Sequence, residues 1–221
     1  MKNPKPKDNW MPHIPFVYNT QKKALLEKPV MERQEDFLNV IFKRRSDTSL
    51  LPISLSELSE LLYYSNRIQH LGKDDYGYIT TKRTAPSAGG RHPIDILVSF
   101  PTKENKTRLL NYYNPIDHSL NELVIESSIQ NIFFDEVNQN LDIKNAVLLW
   151  FSIQPYKTSS KYENAESLYW RDVGALLYCI QLVSSFLELK SCPLGTLAAN
   201  SFHLLFENDS LLSGGGILVG K

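Results

Sequence analysis

The stretch that most constrains this chain is its longest apolar one. From Val173 to Leu187 no charged residue occurs, and the helical pattern around it runs from Tyr169 to Lys190. A helix that is apolar on nearly every side has to be buried. This one falls short of the about 20 residues needed to cross a bilayer, so it reads as a core helix and as the spine of the fold. A second apolar run, Ala146 to Ile153, has the length and character of a central strand covered on both faces.

Charge and size narrow the rest. The 221 residues carry 24 Lys and Arg against 24 Asp and Glu, and 42% are apolar. A disordered chain has fewer apolar residues and more net charge. A net charge of zero offers no broad field for nucleic acid or an anionic membrane, so any bound phosphate must be held by a few local groups. The length allows one large domain or two small ones, and no linker divides the body. Two cysteines, Cys179 and Cys192, are too few for a disulfide framework and point to a reducing compartment. Basic residues near Met1 have no apolar segment behind them, so no secretory signal is read, and the expected location is the cytoplasm.

Along the chain, residues 1–35 are proline-punctuated but carry Trp10, Ile14, Phe16, Val17 and Tyr18, which suggests an extended arm lying on its own body or a partner's. Residues 36–221 form the body. A short helix is expected at Asp36–Lys43. Pro52, then Ser54 with Glu57 three residues on, marks the start of a second helix by a capping box, with Leu55, Leu58, Leu61 and Leu62 as its buried stripe. Residues 72–84 read as a polar loop or short hairpin. Ile94–Phe100 alternates as a strand, Arg108–Tyr113 reads as another, and Asn121 to about Phe134 as a helix. A polar loop is expected at Ser159–Asn164, a break at Cys192–Thr196, and a short strand at Ile217–Val219.

Several segments carry candidate chemistry. Arg44-Arg45-Ser46 offers planar guanidinium forks and a hydroxyl suited to phosphate oxygens. Alone, it reads better as a basic helix end that complements the helix dipole. Pro86-Ser87-Ala88-Gly89-Gly90 has no large side chain, so backbone amides can approach a flat ligand, although an ordinary glycine turn has the same composition. Gly215 and Gly220-Lys221 imitate part of a P-loop but lack the Ser or Thr after the Lys and the helix that should follow. Lys221 can still meet a phosphate as a point charge. Lys161-Tyr162 pairs a possible proton acceptor with an orienting hydroxyl, in a position where a solvated loop lysine is the commoner case. The five histidines are scattered and form no metal-ligand spacing with the cysteines, and neither a Gly-x-Ser-x-Gly elbow nor a Gly-x-Gly-x-x-Gly turn is present.

Taken in order, these segments resemble the FMN-dependent nitroreductase superfamily, and within it the McbC/SagB-type peptide azoline dehydrogenases. Arg44-Arg45-Ser46 is similar to the family's phosphate clamp, Thr84–Gly90 to the branch's Thr-Ala-Pro-Ser-Ala-Gly-Gly, and Tyr113–Leu120 to its Tyr-x-Pro-x-x-His-x-Leu stretch. Trp170–Gly174 and Ser191–Gly195 resemble its central helix and the flavin-contacting turn behind it. Val219-Gly220-Lys221 resembles its final strand, and Lys161-Tyr162 its azoline-oxidising pair. Two positions depart: Thr48 stands where many members have a basic residue, and Arg91 where an apolar one is common.

The resemblance implies an α+β fold, a nitroreductase-like mixed sheet flanked by helices, in a homodimer with exchanged terminal segments. It implies FMN as cofactor, held by Arg44, Arg45, Ser46, Pro86, Ser87, Ala88, Gly89, Gly90, Leu194, Gly195, Thr196, Gly220 and Lys221. Lys161 and Tyr162 are then the catalytic residues, no metal is called for, and the substrate is a thiazoline or oxazoline in a peptide or small molecule. A cyclodehydratase is the companion such an enzyme would have. An NAD(P)H-dependent nitroreductase or quinone reductase shares the same motifs, and a non-catalytic subunit of a cyclodehydratase complex is a third reading.

Overall fold

The computed structural model describes residues 2–9, 14–30, 33–75, 77–101, 108–139, 141–206 and 210–221. Trp10, counted above among the aromatics of the arm, lies outside the described residues. In chain order the elements are β1 (Lys5–Pro6), β2 (Thr20–Leu25), α1 (Phe37–Lys43), α2 (Leu55–Asn66), β3 (Ile68–Lys73), β4 (Ile79–Arg83), β5 (Ile94–Ser99), β6 (Asn111–Asn114), β7 (Ser119–Leu123), α3 (Ser127–Asn138), β8 (Val147–Ile153), α4 (Pro155–Ser159), β9 (Tyr162–Glu163), α5 (Glu166–Phe186), β10 (Lys190–Pro193), α6 (Ala199–Phe206) and β11 (Leu212–Gly220).

Seven strands form one sheet in the order β10-β11-β8-β5-β6-β7-β2. Its ladders are antiparallel, and an isolated parallel bridge from Ser46 to Ser191 adds a neighbour of the other sense beyond β10. The pleat sends alternate residues to opposite faces. Ile96, Val98, Leu149 and Phe151 pack with α2 and α5. Leu97, Leu148, Trp150 and Leu218 pack with α3 and α6. The sheet is thus the middle of three layers, and its central strands bury both faces.

Local rules account for several elements. Asp36 accepts from the Leu38 and Asn39 amides and starts α1. Ser54 and Glu57 cap α2 reciprocally, as their spacing required. Leu58, Leu61 and Leu62 are fully buried under α2, but Leu55 is not part of that stripe: it is half exposed in the first turn. β8 lies between β11 and β5, which explains why its apolar run has no polar alternation.

Tertiary pairing overrides local pattern elsewhere. Ser119–Leu123 is a strand between β6 and β2, so the helix expected from Asn121 begins only at Ser127. The strand expected from Arg108 begins at Asn111. The buried Arg108 guanidinium instead donates to the backbone carbonyls of Ile143, Ala146 and Ser99. Asp95, Leu97 and Ser99 are as buried as the apolar positions between them, so β5 is covered on both faces. Residues 159–164 contain the end of α4 and β9, and residues 68–83 a hairpin longer than expected.

The arm lies on this chain's own body. Phe16 and Tyr18 pack edge-on against Phe206, Tyr18 stacks on Tyr112, and β2 pairs with β7 as the outermost strand. β1 pairs with β9, next to Lys161. Among the described residues no helix is long and apolar enough to cross a membrane.

Candidate functional site

The turn ahead of β5 brings together three segments that are far apart in sequence. Gly89 and Gly90 have φ of 62° and 66°, a left-handed conformation that glycine adopts without strain. The Ser87 hydroxyl donates to Asp172 Oδ2 at 2.6 Å and accepts from the His92 amide at 2.8 Å. Asp172 Oδ1 accepts from the Ala88 amide at 3.3 Å. Burial pushes the Asp172 carboxyl above its usual range, and the bonds from Ser87 and Ala88 act against that shift.

Lys161 and Tyr162 close over the same turn. A Cβ on Gly89 would lie 2.8 Å from the Tyr162 hydroxyl and 3.2 Å from Lys161 Nζ. The Lys161 ammonium is 5.8 Å from the centre of the Tyr162 ring. Their backbone is held from both sides: the Lys161 amide donates to Thr158, the Lys161 carbonyl accepts from Lys7, and Tyr162 pairs with Pro6.

Arg91, the unusual residue after Gly-Gly, braces this loop. Its buried guanidinium donates to the Lys157 carbonyl at 2.8 Å, to Ser160 Oγ at 3.2 Å and to Asp74 at 3.1 Å, and it lies 4.4 Å from the centre of the Tyr78 ring. The β3–β4 hairpin is thereby tied to the segment that carries Lys161.

The other candidate residues gather elsewhere. Arg44 ends α1, Ser46 bridges Ser191, and the Asp47 amide donates to the Ser191 carbonyl at 3.1 Å. Hydrogen bonds from the Ser49 hydroxyl and amide hold the Asp47 carboxyl below its usual range. Arg44, Arg45, Ser185 and Lys190 line a cavity of about 480 Å³. Gly220 pairs with Lys190, and a Cβ there would lie 2.6 Å from the Leu51 carbonyl oxygen, so only glycine lets these backbones meet. The Lys221 ammonium lies 2.8 Å from Glu57, the capping residue of α2. Burial acts to raise the Glu57 carboxyl, but bonds from Lys221 and Ser54 hold it below its usual range. Leu194, Gly195 and Thr196 follow β10: the Leu194 amide donates to the Gly216 carbonyl, Thr196 Oγ1 accepts from the Ala198 amide, and the space around Gly195 is open.

α5 measures the separation between the two groups. The Ser87 turn meets α5 at Asp172, whereas α1 is tied to it where Ser185 Oγ donates to the Val40 carbonyl at 2.8 Å. Between those residues the helix rises by about 20 Å. A single chain therefore brings Lys161 and Tyr162 to Pro86–Gly90, and Arg44–Ser46 near Gly220-Lys221, but does not bring the two groups together. Sequence reading missed the roles of Asp172, Arg91 and Lys190. The residue after Gly-Gly was the one visible signal among them.

The cationic cavity fits a phosphate in its donor chemistry. Arg44, Arg45 and Lys190 line one space in which cations outnumber carboxylates, with Lys190 Nζ donating to Ser49 and Arg45 Nε 3.9 Å from Asp47. The small turn at Ala88–Gly90 leaves glycine backbone at the surface, as close approach of a flat ring requires.

No protein-family model and no curated protein matches the sequence. Solved structures do. A putative nitroreductase from Ralstonia eutropha JMP134 matches with a TM-score of 0.69 at 16% identity, over 96% of this chain and 98% of that one. A chain of the Escherichia coli microcin synthetase McbBCD complex, with truncated pro-MccB17 bound, matches with a TM-score of 0.61 at 13% identity, over 90% of this chain and 77% of that one. A putative nitroreductase in complex with FMN from Desulfovibrio desulfuricans matches with a TM-score of 0.53 at 15% identity, over 85% and 87%. The three-layer body built around β8 and α5 is the nitroreductase fold.

Proposed function

We propose that the chain is an FMN-dependent oxidoreductase that acts as a homodimer and oxidises a thiazoline or oxazoline ring in a peptide or peptide-like substrate to the aromatic azole. The observation that carries this reading is the meeting of Lys161 and Tyr162 with the Gly89 turn. A base and a hydroxyl there stand against the segment best suited to a flat ring.

Arg44, Arg45, Ser46, Gly220 and Lys221 would hold the phosphate of FMN, and Pro86–Gly90 with Leu194–Thr196 its ring system. When bound, FMN supplies the hydride acceptor. Lys161 Nζ removes the proton from the ring carbon that was the amino-acid Cα, and Tyr162 Oη orients that carbon's ring for the transfer.

Two features support a second copy. The about 20 Å between the two groups along α5 leaves each chain with complementary halves of a site. α1 also exposes Phe37, Leu38 and Phe42, an apolar face suited to a buried interface. A ring-forming cyclodehydratase is the expected companion, a reading supported by the likeness to a chain of the McbBCD complex.

The test is to purify the protein, measure bound flavin and supply an azoline peptide. Loss of the mass of two hydrogens supports the proposal, and Lys161→Ala should abolish that loss while FMN stays bound. Unchanged peptide mass with FMN in place overturns it. Rapid bleaching of the flavin by NADPH identifies a nitroreductase or quinone reductase instead. A colourless protein that binds a cyclodehydratase identifies a non-catalytic subunit.

A further inference from the structure

A cavity of about 350 Å³ opens between the β3–β4 hairpin, the turn after β6 and α4. It falls within the size range of small-molecule sites, about 300–1,000 Å³. None of Pro86–Gly90, Lys161 or Tyr162 lines it, so it adjoins the site described above across Arg91 and His92 without including its turn or its Lys-Tyr pair. Its walls are apolar and aromatic, with Ile68, Tyr78, Ile79, Tyr112 and Ile116 among them, while its charged groups are Arg83, Arg91, Lys157 and Asp95.

Charge matching separates these four. Arg91 is paired with Asp74 at 3.1 Å. Lys157 is paired with Asp95 at 3.3 Å, and Asp95 also accepts from the Tyr18 hydroxyl and the Gln154 amide. Arg83 donates to two neutral oxygens, Thr81 Oγ1 at 3.1 Å and Asn66 Oδ1 at 3.3 Å, and among the described residues no carboxylate lies within 4 Å of it. A guanidinium has five N–H donors. The neighbouring His92 adds no second charge, because burial and the nearby Arg83 push it down to about 3.

We propose that this cavity binds a small carboxylate carried on an aromatic or branched apolar body, with Arg83 as its counter-ion. Arg83 lies in the field of Asp95, but that carboxylate is ion-paired to Lys157, so the wall keeps one positive charge in excess and calls for one negative charge. A planar carboxylate matches the guanidinium fork, and the apolar walls take the body of the ligand. A phosphate dianion would leave a second charge uncompensated in an apolar enclosure. The proposal does not depend on the flavin reading: none of the residues placed against FMN or the azoline ring lines the cavity, although Arg91 and His92 stand in its wall and also hold the neighbouring turn and loop.

Calorimetry on the full chain, with and without added FMN, tests the proposal with N-acetyl-L-phenylalanine as probe, its neutral amide as the uncharged control and inorganic phosphate as the competing anion. The carboxylate should bind at least tenfold more tightly than the amide, with the same affinity whether or not FMN is present. Arg83→Gln should weaken binding at least tenfold. Ile116→Trp, which fills the cavity and keeps Arg83, should weaken it as well, and circular dichroism checks that both variants fold. Equal binding of acid and amide, unchanged binding by Arg83→Gln, preference for phosphate, or no binding of the acid at millimolar concentration would each overturn it.

Discussion

The Ser87 hydroxyl donates to the Asp172 carboxylate at 2.6 Å, joining the turn before β5 to the first turns of α5. The same carboxylate also takes the Ala88 amide, so a single side chain on the spine helix sets the shape of the Pro86–Gly90 turn.

Burial raises the Asp172 carboxyl above its unfolded value, so between the two values the folded protein holds more protons than the unfolded chain. Stability from this group is greatest below the unfolded value, near 3.8, and is lost as pH rises through the folded one. Asp172→Asn should remove that dependence. Urea midpoints from pH 3 to pH 7 should show wild type losing stability relative to the variant as pH rises, and parallel curves would contradict the assignment.

Gly89→Ala places a methyl group where Tyr162 Oη and Lys161 Nζ now lie, at a φ of 62°. Backbone strain alone costs about 1 kcal/mol. Turnover should fall at least tenfold, a larger effect than that strain accounts for, because both side chains are displaced. Steady-state kinetics beside a thermal melt distinguishes displacement from unfolding.

Arg91→Lys keeps a cation near Asp74 but loses the bonds to the Lys157 carbonyl and Ser160 Oγ. Two hydrogen bonds lost from a buried position cost about 1–3 kcal/mol. Since Arg91 positions the Lys161 segment and is not itself placed against the reacting ring, kcat should drop while KM stays near its wild-type value. A change confined to KM would count against this bracing role.

Gly216→Ala tests the packing of the sheet. A Cβ there would come within 2.5 Å of the Trp150 ring and 2.7 Å of the Leu149 carbonyl oxygen. Trp150 is fully buried, and its indole is held by a bond to Ser213 Oγ, so it has no free direction in which to yield. Overpacking of this kind costs about 1–3 kcal/mol, readable as a lower denaturation midpoint with unchanged slope.

What the sequence made legible was whatever is set by neighbours along the chain. Ser54 and Glu57 announced α2 because a capping box is a local bond pattern. Ala146–Ile153 announced β8 because burial on both faces leaves Ser152 as its single polar position. β2 gave no such signal: Thr20–Leu25 is an exposed edge strand whose polar residues follow from the water on it, not from its pairing. Leu123, Ile129 and Phe133 suit a helical period, yet Leu123 belongs to a strand because β2 and β6 claim the backbone on either side of it.

The candidate site divides in the same way. Lys161-Tyr162 and Pro86–Gly90 were each visible as short motifs, but their contact is a product of folding. Asp172 looked like one polar residue at the start of an apolar helix, and its task depends on a serine 85 positions away.

The length of α5 between Asp172 and Ser185 has a genetic consequence. If each site draws one half from either chain, a defect in Arg44 and a defect in Lys161 damage opposite halves of the same composite. Two inactive proteins, one carrying each substitution, should then regain activity when unfolded together and refolded. Mixed dimers would contain one site with both lesions and one with neither, giving about a quarter of the wild-type sites at equal mixing under two-fold symmetry.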